Sequence, residues 1–117
     1  MAVELPSAGY QDIRDYVEDN WIYISLEDDT GSEIFRISTA DSRVSWIHTA
    51  ESQELQLQVN ITGSDSEFTL PQKFSSSALY KVSSGGNILS EEGFTTTTLE
   101  TTADTLTITH NVQIPQL

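Results

Sequence analysis

The chain has no cysteine, five basic residues, three prolines and no long apolar run. Each absence removes a class of chemistry. Without thiols there is no disulfide framework, no thiol nucleophile and no zinc–thiolate site, so an apolar core must hold the fold. Arg14, Arg36, Arg43, Lys73 and Lys81 are too few and too scattered to neutralise a row of phosphates, which argues against nucleic acid as a partner. An anionic membrane surface is disfavoured for the same reason. No stretch approaches the ~20 apolar residues of a membrane-spanning helix. Met1-Ala2-Val3-Glu4-Leu5-Pro6 lacks the basic and apolar regions of a secretion signal, so a soluble protein is expected. There is no G-x-S-x-G elbow, phosphate-cradling glycine loop or H-E-x-x-H pair.

What is present points to one β-rich domain. The 117 residues, 37% of them hydrophobic, suffice for a single core. Eighteen acidic residues against five basic ones give a formal net charge of -13. Such a surface suits solubility at high concentration, a salt-rich environment or a basic partner. The most legible stretch is Leu55 to Thr62. There Leu55, Leu57, Val59 and Ile61 alternate with Gln56, Gln58, Asn60 and Thr62, the period of a strand with one wet face. One strand cannot shelter its own apolar face, so sheet must pack on sheet.

Residues 1–20 read as an arm and one short amphipathic helix. Tyr10, Ile13, Tyr16 and Val17 recur at helical spacing, with Ser7 as N-cap and Asp12 near the positive end of the helix dipole. Residues 21–117 read as a single sandwich domain. Trp21 to Leu26 and Glu33 to Ser38 flank the turn Asp28-Asp29-Thr30-Gly31-Ser32 as a hairpin, and Arg43 to Thr49 pairs with Leu55 to Thr62 as a second. Short strands follow at Phe68 to Leu70 and Ala78 to Val82, then at Phe94 to Thr101 and Thr105 to Ile114, with loops at Gly63 to Ser66 and Ser83 to Asn87. Seven to eight such strands predict an all-β antiparallel sandwich, immunoglobulin-like or jelly-roll-like, with one N-terminal helix. The two long alternating runs, Leu55 to Thr62 and Thr105 to Ile114, should pair or face each other across the core.

Candidate sites are few. Leu106, Ile108, His110, Val112 and Ile114 share a phase, so His110 points inward and is read as a hydrogen-bonded core residue. His48, the other histidine, lies on a different strand, and two isolated histidines do not make a metal or catalytic cluster. The turn Glu27-Asp28-Asp29-Thr30-Gly31 offers calcium-type oxygens but not the EF-hand spacing; Asp65 with Glu67, and Glu91 with Glu92, form similar acidic loops. Trp21, Tyr23 and Trp46 are open to three readings: core packing, subunit contact or a sugar-stacking platform.

The segments Ser77-Ala-Leu-Tyr-Lys-Val-Ser-Ser-Gly-Gly, Leu106-Thr-Ile-Thr-His and Ile114-Pro115 resemble in texture the small β-rich structural proteins of tailed bacteriophages. The resemblance covers about half of the chain and carries over no functional residue. It implies a virion-associated or cytoplasmic structural protein. The expected function is a non-enzymatic assembly module without a cofactor, acting as a homo-oligomer or within a larger protein assembly. Its interface would be formed by Tyr10, Ile13, Tyr16, Val17, Trp21 and Trp46. The alternative is a carbohydrate- or calcium-binding β-sandwich module.

Overall fold

The computed structural model describes residues 6–49, 52 and 54–113. Among them are one helix, α1 (Ser7–Asn20), and seven strands: β1 (Tyr23–Glu27), β2 (Glu33–Ser38), β3 (Val44–Trp46), β4 (Glu54–Thr62), β5 (Gln72–Tyr80), β6 (Ser90–Leu99) and β7 (Thr105–Gln113). The strands form two antiparallel sheets, in the orders β2-β1-β5-β6 and β3-β4-β7. Together they enclose the expected all-β sandwich. Its strand order differs from the immunoglobulin constant-type arrangement, which groups strands one, two, five and four against three, six and seven; here the fourth and sixth strands have exchanged sheets.

The alternating stretch sits where its periodicity demands. Leu55, Leu57, Val59 and Ile61 of β4 are completely or almost completely buried, each contributing about 1.5–3 kcal/mol. All nine residues of β4 pair with β7, from Glu54 opposite Gln113 to Thr62 opposite Thr105. From the facing sheet Ile24, Leu26, Phe35, Ile37, Phe74, Leu79 and Leu99 complete the core. The acidic turn after β1 is closed by its own Asp28, whose Oδ1 accepts from the Thr30 and Ser32 amides and the Thr30 hydroxyl. Gly31 takes the left-handed conformation, φ 83°, that ends this turn. Gly63 is required for a different reason: a Cβ there would lie 1.9 Å from the Thr101 carbonyl oxygen.

Several boundaries differ from those the sequence suggests. The helix begins at Ser7, so Ser7 is its first helical residue; Pro6 is the N-cap, with no side-chain cap bond. Asp12 therefore lies beyond the first turn. β3 has three residues, although the Ile47 amide still bonds to the Gln56 carbonyl, 2.9 Å. Phe68 to Leu70 forms no strand. Phe68 is instead an aromatic plug, its ring 5.9 Å from that of Phe35 and 5.2 Å from that of Phe74. β5 starts at Gln72 and takes in the Ser75-Ser76-Ser77 run. β6 starts at Ser90, so Glu91 and Glu92 belong to a strand and not to an acidic loop. Its pairing with β5 is interrupted: Phe74 faces Thr97 and Ser76 faces Gly93, which leaves Phe94, Thr95 and Thr96 bulged against Ser75. Ile114, expected to continue β7, lies outside the described residues.

Candidate functional site

The helix stands at one end of a body 52 Å long and 25 Å across. It leads into β1, whose first residue Tyr23 pairs with Tyr80 at the end of β5. Two side-chain contacts tie it to both sheets. Lys81 Nζ donates to Tyr16 Oη, 2.5 Å, and His48 Nε2 bonds to Glu18 Oε1. His48 Nδ1 accepts from the Gln56 amide, 3.1 Å, so the proton sits on Nε2 and is directed at Glu18. Both ring nitrogens are thereby engaged.

The predicted interface residues divide into two groups. Tyr10 and Val17, 7% and 3% exposed, are buried in the chain's own core cluster. Ile13 and Tyr16, 38% and 49% exposed, face outward. The four do not form one stripe, because the helix buries the face Tyr10, Arg14, Val17. Arg14 shares that buried face at 5% exposure, its Nε shielded from solvent without a hydrogen-bond partner among the described residues, and the spacing Tyr10–Arg14–Val17 is as helical as the apolar one. Trp21 and Trp46 are half-buried and pack against the core, Trp46 edge-on to His48 with ring centroids 5.5 Å apart.

All five exposed large hydrophobic residues among those described flank this end. Ile13 and Tyr16 are on the helix; Ile47 adjoins His48, Val82 adjoins Lys81, and Ile88 adjoins Leu89, whose amide bonds to the Leu79 carbonyl. The opposite end is polar. Its turns carry Asp28, Asp29, Asp65, Glu67, Glu100 and Asp104, and a cleft of about 440 Å³ opens between the β1–β2 turn and the ends of β5 and β6, lined by Asp28, Asp29, Gln72, Lys73 and Glu100 among others. Arg43 ties the turns together by holding Asp41 (2.9 Å), Asp65 (3.3 Å) and Glu67 (2.6 Å). Hydrogen bonding from Arg43 lowers Asp41 to about 2 and also holds Glu67 below the ordinary carboxylate range. Among the described residues no three His, Asp or Glu side chains are placed to hold a metal ion. Asp28 is already occupied by its own turn.

His110 is fully buried between the sheets. Its Nδ1 bonds to Ser77 Oγ of β5, 2.6 Å, and its Nε2 to Ser90 Oγ of β6, 2.9 Å. Burial pushes the imidazole below its usual 6.5, and the Glu92 and Glu91 carboxylates oppose that only in part. The histidine is the hydrogen-bonded core residue that its phase suggests. Its two serine partners were hidden because they come from strands 20 and 33 residues away. Next to it, Glu92 takes the Asn111 amide and, at 2.8 Å, the Asn111 Nδ2, which closes the seam between β6 and β7. Comparison of the chain with protein-family models, with curated proteins and with solved structures finds no match.

Proposed function

We propose that the protein is a non-enzymatic structural module that works by assembling, and that the helix end is its docking face. The clustering of exposed apolar side chains supports this reading: Ile13, Tyr16, Ile47, Val82 and Ile88 all flank the helix end, rimmed by the exposed Asp12, Asp15 and Asp19 of the helix itself. Patches of this kind, rimmed by polar residues, mark contacts between proteins. The partner we favour is a second copy of the chain, and the serine- and threonine-rich strands make a phage particle the setting. The buried half of the helix, Tyr10 and Val17, serves to hold the outward half in place.

Light scattering coupled to size exclusion tests the proposal. The wild type should run above its monomer mass of 13.0 kDa. A variant carrying Ile13→Asn and Ile88→Asn should run as a monomer with an unchanged circular dichroism spectrum. Neither side chain contributes to the core, so folding is preserved. A wild-type mass of 13.0 kDa at every concentration, or a variant as large as the wild type, would sink the reading.

A further inference from the structure

The outer faces of the two sheets are built differently. On the larger sheet that side carries the charged residues Glu27, Arg36 and Glu91. The loop after β5 lies over it, held by Arg36 Nη1, which donates to the Val82 carbonyl (3.0 Å) and the Gly85 carbonyl (2.8 Å). Arg36 Nε donates in turn to Glu33 Oε1, 2.7 Å.

The smaller sheet turns another kind of surface to solvent. Because Leu55, Leu57, Val59 and Ile61 point inward, the alternate residues of β4 point out, each opposite an outward residue of β7: Gln56 with Asn111, Gln58 with Thr109, Asn60 with Thr107 and Thr62 with Thr105. Ser45 of β3 lies opposite Gln58 and extends that rung across three strands. None of these side chains is charged, in a chain whose formal net charge is -13. Charge stands only at the margins, where Glu54 precedes Gln56 along β4 and Arg43 borders Asn60. Two rungs are already fixed: Gln56 Nε2 donates to Asn111 Oδ1, 3.1 Å, and Thr107 Oγ1 to Asn60 Oδ1, 2.8 Å. Between them Ser45, Gln58 and Thr109 make no side-chain hydrogen bond to any described residue. From Gln56 to Thr62 the face runs about 20 Å along the strands and about 10 Å across them.

We propose that this face binds a neutral polysaccharide, with Ser45, Gln58 and Thr109 as the central contact rung. The occupant follows from charge and from the kind of polar group. Amides and hydroxyls both donate and accept, as sugar hydroxyls do. A polyanion is repelled by a chain of this net charge, and a polycation is drawn to the carboxylates of the turns, none of which stand on this face. An apolar partner would leave the amides unpaired. The bonded rungs on either side hold their side chains in place before a ligand arrives, which lowers the ordering cost of binding. No aromatic ring lies among these residues, so a single sugar gains little and retention depends on repetition along a polymer. This face is separate from the helix-end assembly and does not depend on it.

Frontal chromatography on immobilised dextran, galactomannan and mixed-linkage β-glucan tests this, with immobilised heparin as the charged control. At least one neutral column should retard the wild type, and heparin should not. The retardation should stay constant between about 0.1 M and about 1 M sodium chloride, because no ion pair is involved. Gln58→Met combined with Thr109→Val keeps the shape of both side chains and removes their hydrogen-bonding groups; it should weaken retention at least about fivefold, with unchanged circular dichroism and unchanged mass in light scattering. Gln58→Glu should weaken it as well. The proposal is overturned if no neutral column retards the wild type, if salt abolishes the retention, or if the double variant is retained like the wild type. A double variant with a smaller mass than the wild type would also overturn it, by showing that a second copy of the chain occupies the face.

Discussion

Replacing Ser77 by alanine removes one hydroxyl and strands one nitrogen of a fully buried histidine. Ser77 and His110 are both completely shielded from solvent, and their atoms are 2.6 Å apart. No water can reach Nδ1 without opening the sandwich, so the variant carries the desolvation penalty of an unmade bond, about 1–3 kcal/mol. Ser90 makes the matching bond to Nε2 at 2.9 Å from a half-buried position. Water can replace that hydroxyl, and Ser90→Ala should cost about 0.5–1.5 kcal/mol. For a chain of this length each kcal/mol lowers the melting temperature by about 4 °C. Ser77→Ala should therefore melt roughly 4–12 °C below the wild type, and Ser90→Ala roughly 2–6 °C below it. Urea unfolding with unchanged slope would confirm that only stability has moved. Combining Ser77→Ala with His110→Phe removes the orphaned nitrogen, so the double variant should lose less than the two single losses added together. Equal costs for the two serines, or strict additivity with His110→Phe, would refute the argument that burial sets the penalty.

Two further outcomes follow from the charge arrangement. Arg43→Met leaves Asp41, Asp65 and Glu67 facing one another with only partial solvent access, a loss between the ~0.5 kcal/mol of an exposed pair and the ~3–5 kcal/mol of a broken buried one. Asp41 and Glu67 are held low by Arg43 in the folded wild type, so their contribution is present above their ordinary range near pH 4 and is lost as pH falls toward about 2. Unfolding curves of wild type and variant should differ most near neutrality and converge toward pH 2; a constant gap would contradict the assignment. The net charge of -13 with few cations predicts self-repulsion. Sodium chloride, with a screening length of about 10 Å at 0.1 M, should then raise the melting temperature, whereas a fall would mean that the pairs at Arg36 and Arg43 outweigh the repulsion.

The sandwich was legible where one face is dry and the other wet. Leu55 to Ile61 and Ile108 to Val112 carry unbroken period-two signals because each strand has one neighbour layer. The signal failed where both faces are covered or where side chains carry the packing without a strand. β5 buries Phe74, Ser77 and Leu79 on one side and Ala78 and Tyr80 on the other, so its serine run carries no alternation and fell outside the strand expected at Ala78 to Val82. Phe68 looked like part of a strand because its aromatic ring belongs in the core, yet it reaches the core from a loop. The helix stripe misled because a charged residue, Arg14, takes the buried position between Tyr10 and Val17 while Ile13 and Tyr16 face outward.

The bulge at Phe94 to Thr96 bears on how such a module grows. An unbroken edge of ten residues would invite the next molecule to add a strand, and that molecule the next, an open-ended stacking with no closing symmetry. Here the edge of β6 is split by the bulge, and at its start Glu92 is committed to the Asn111 amide. Strand addition at this edge is interrupted at the backbone level. In the assembly proposed above, contacts confined to the helix end would instead close on themselves about an axis, so that geometry and not supply would set the number of subunits.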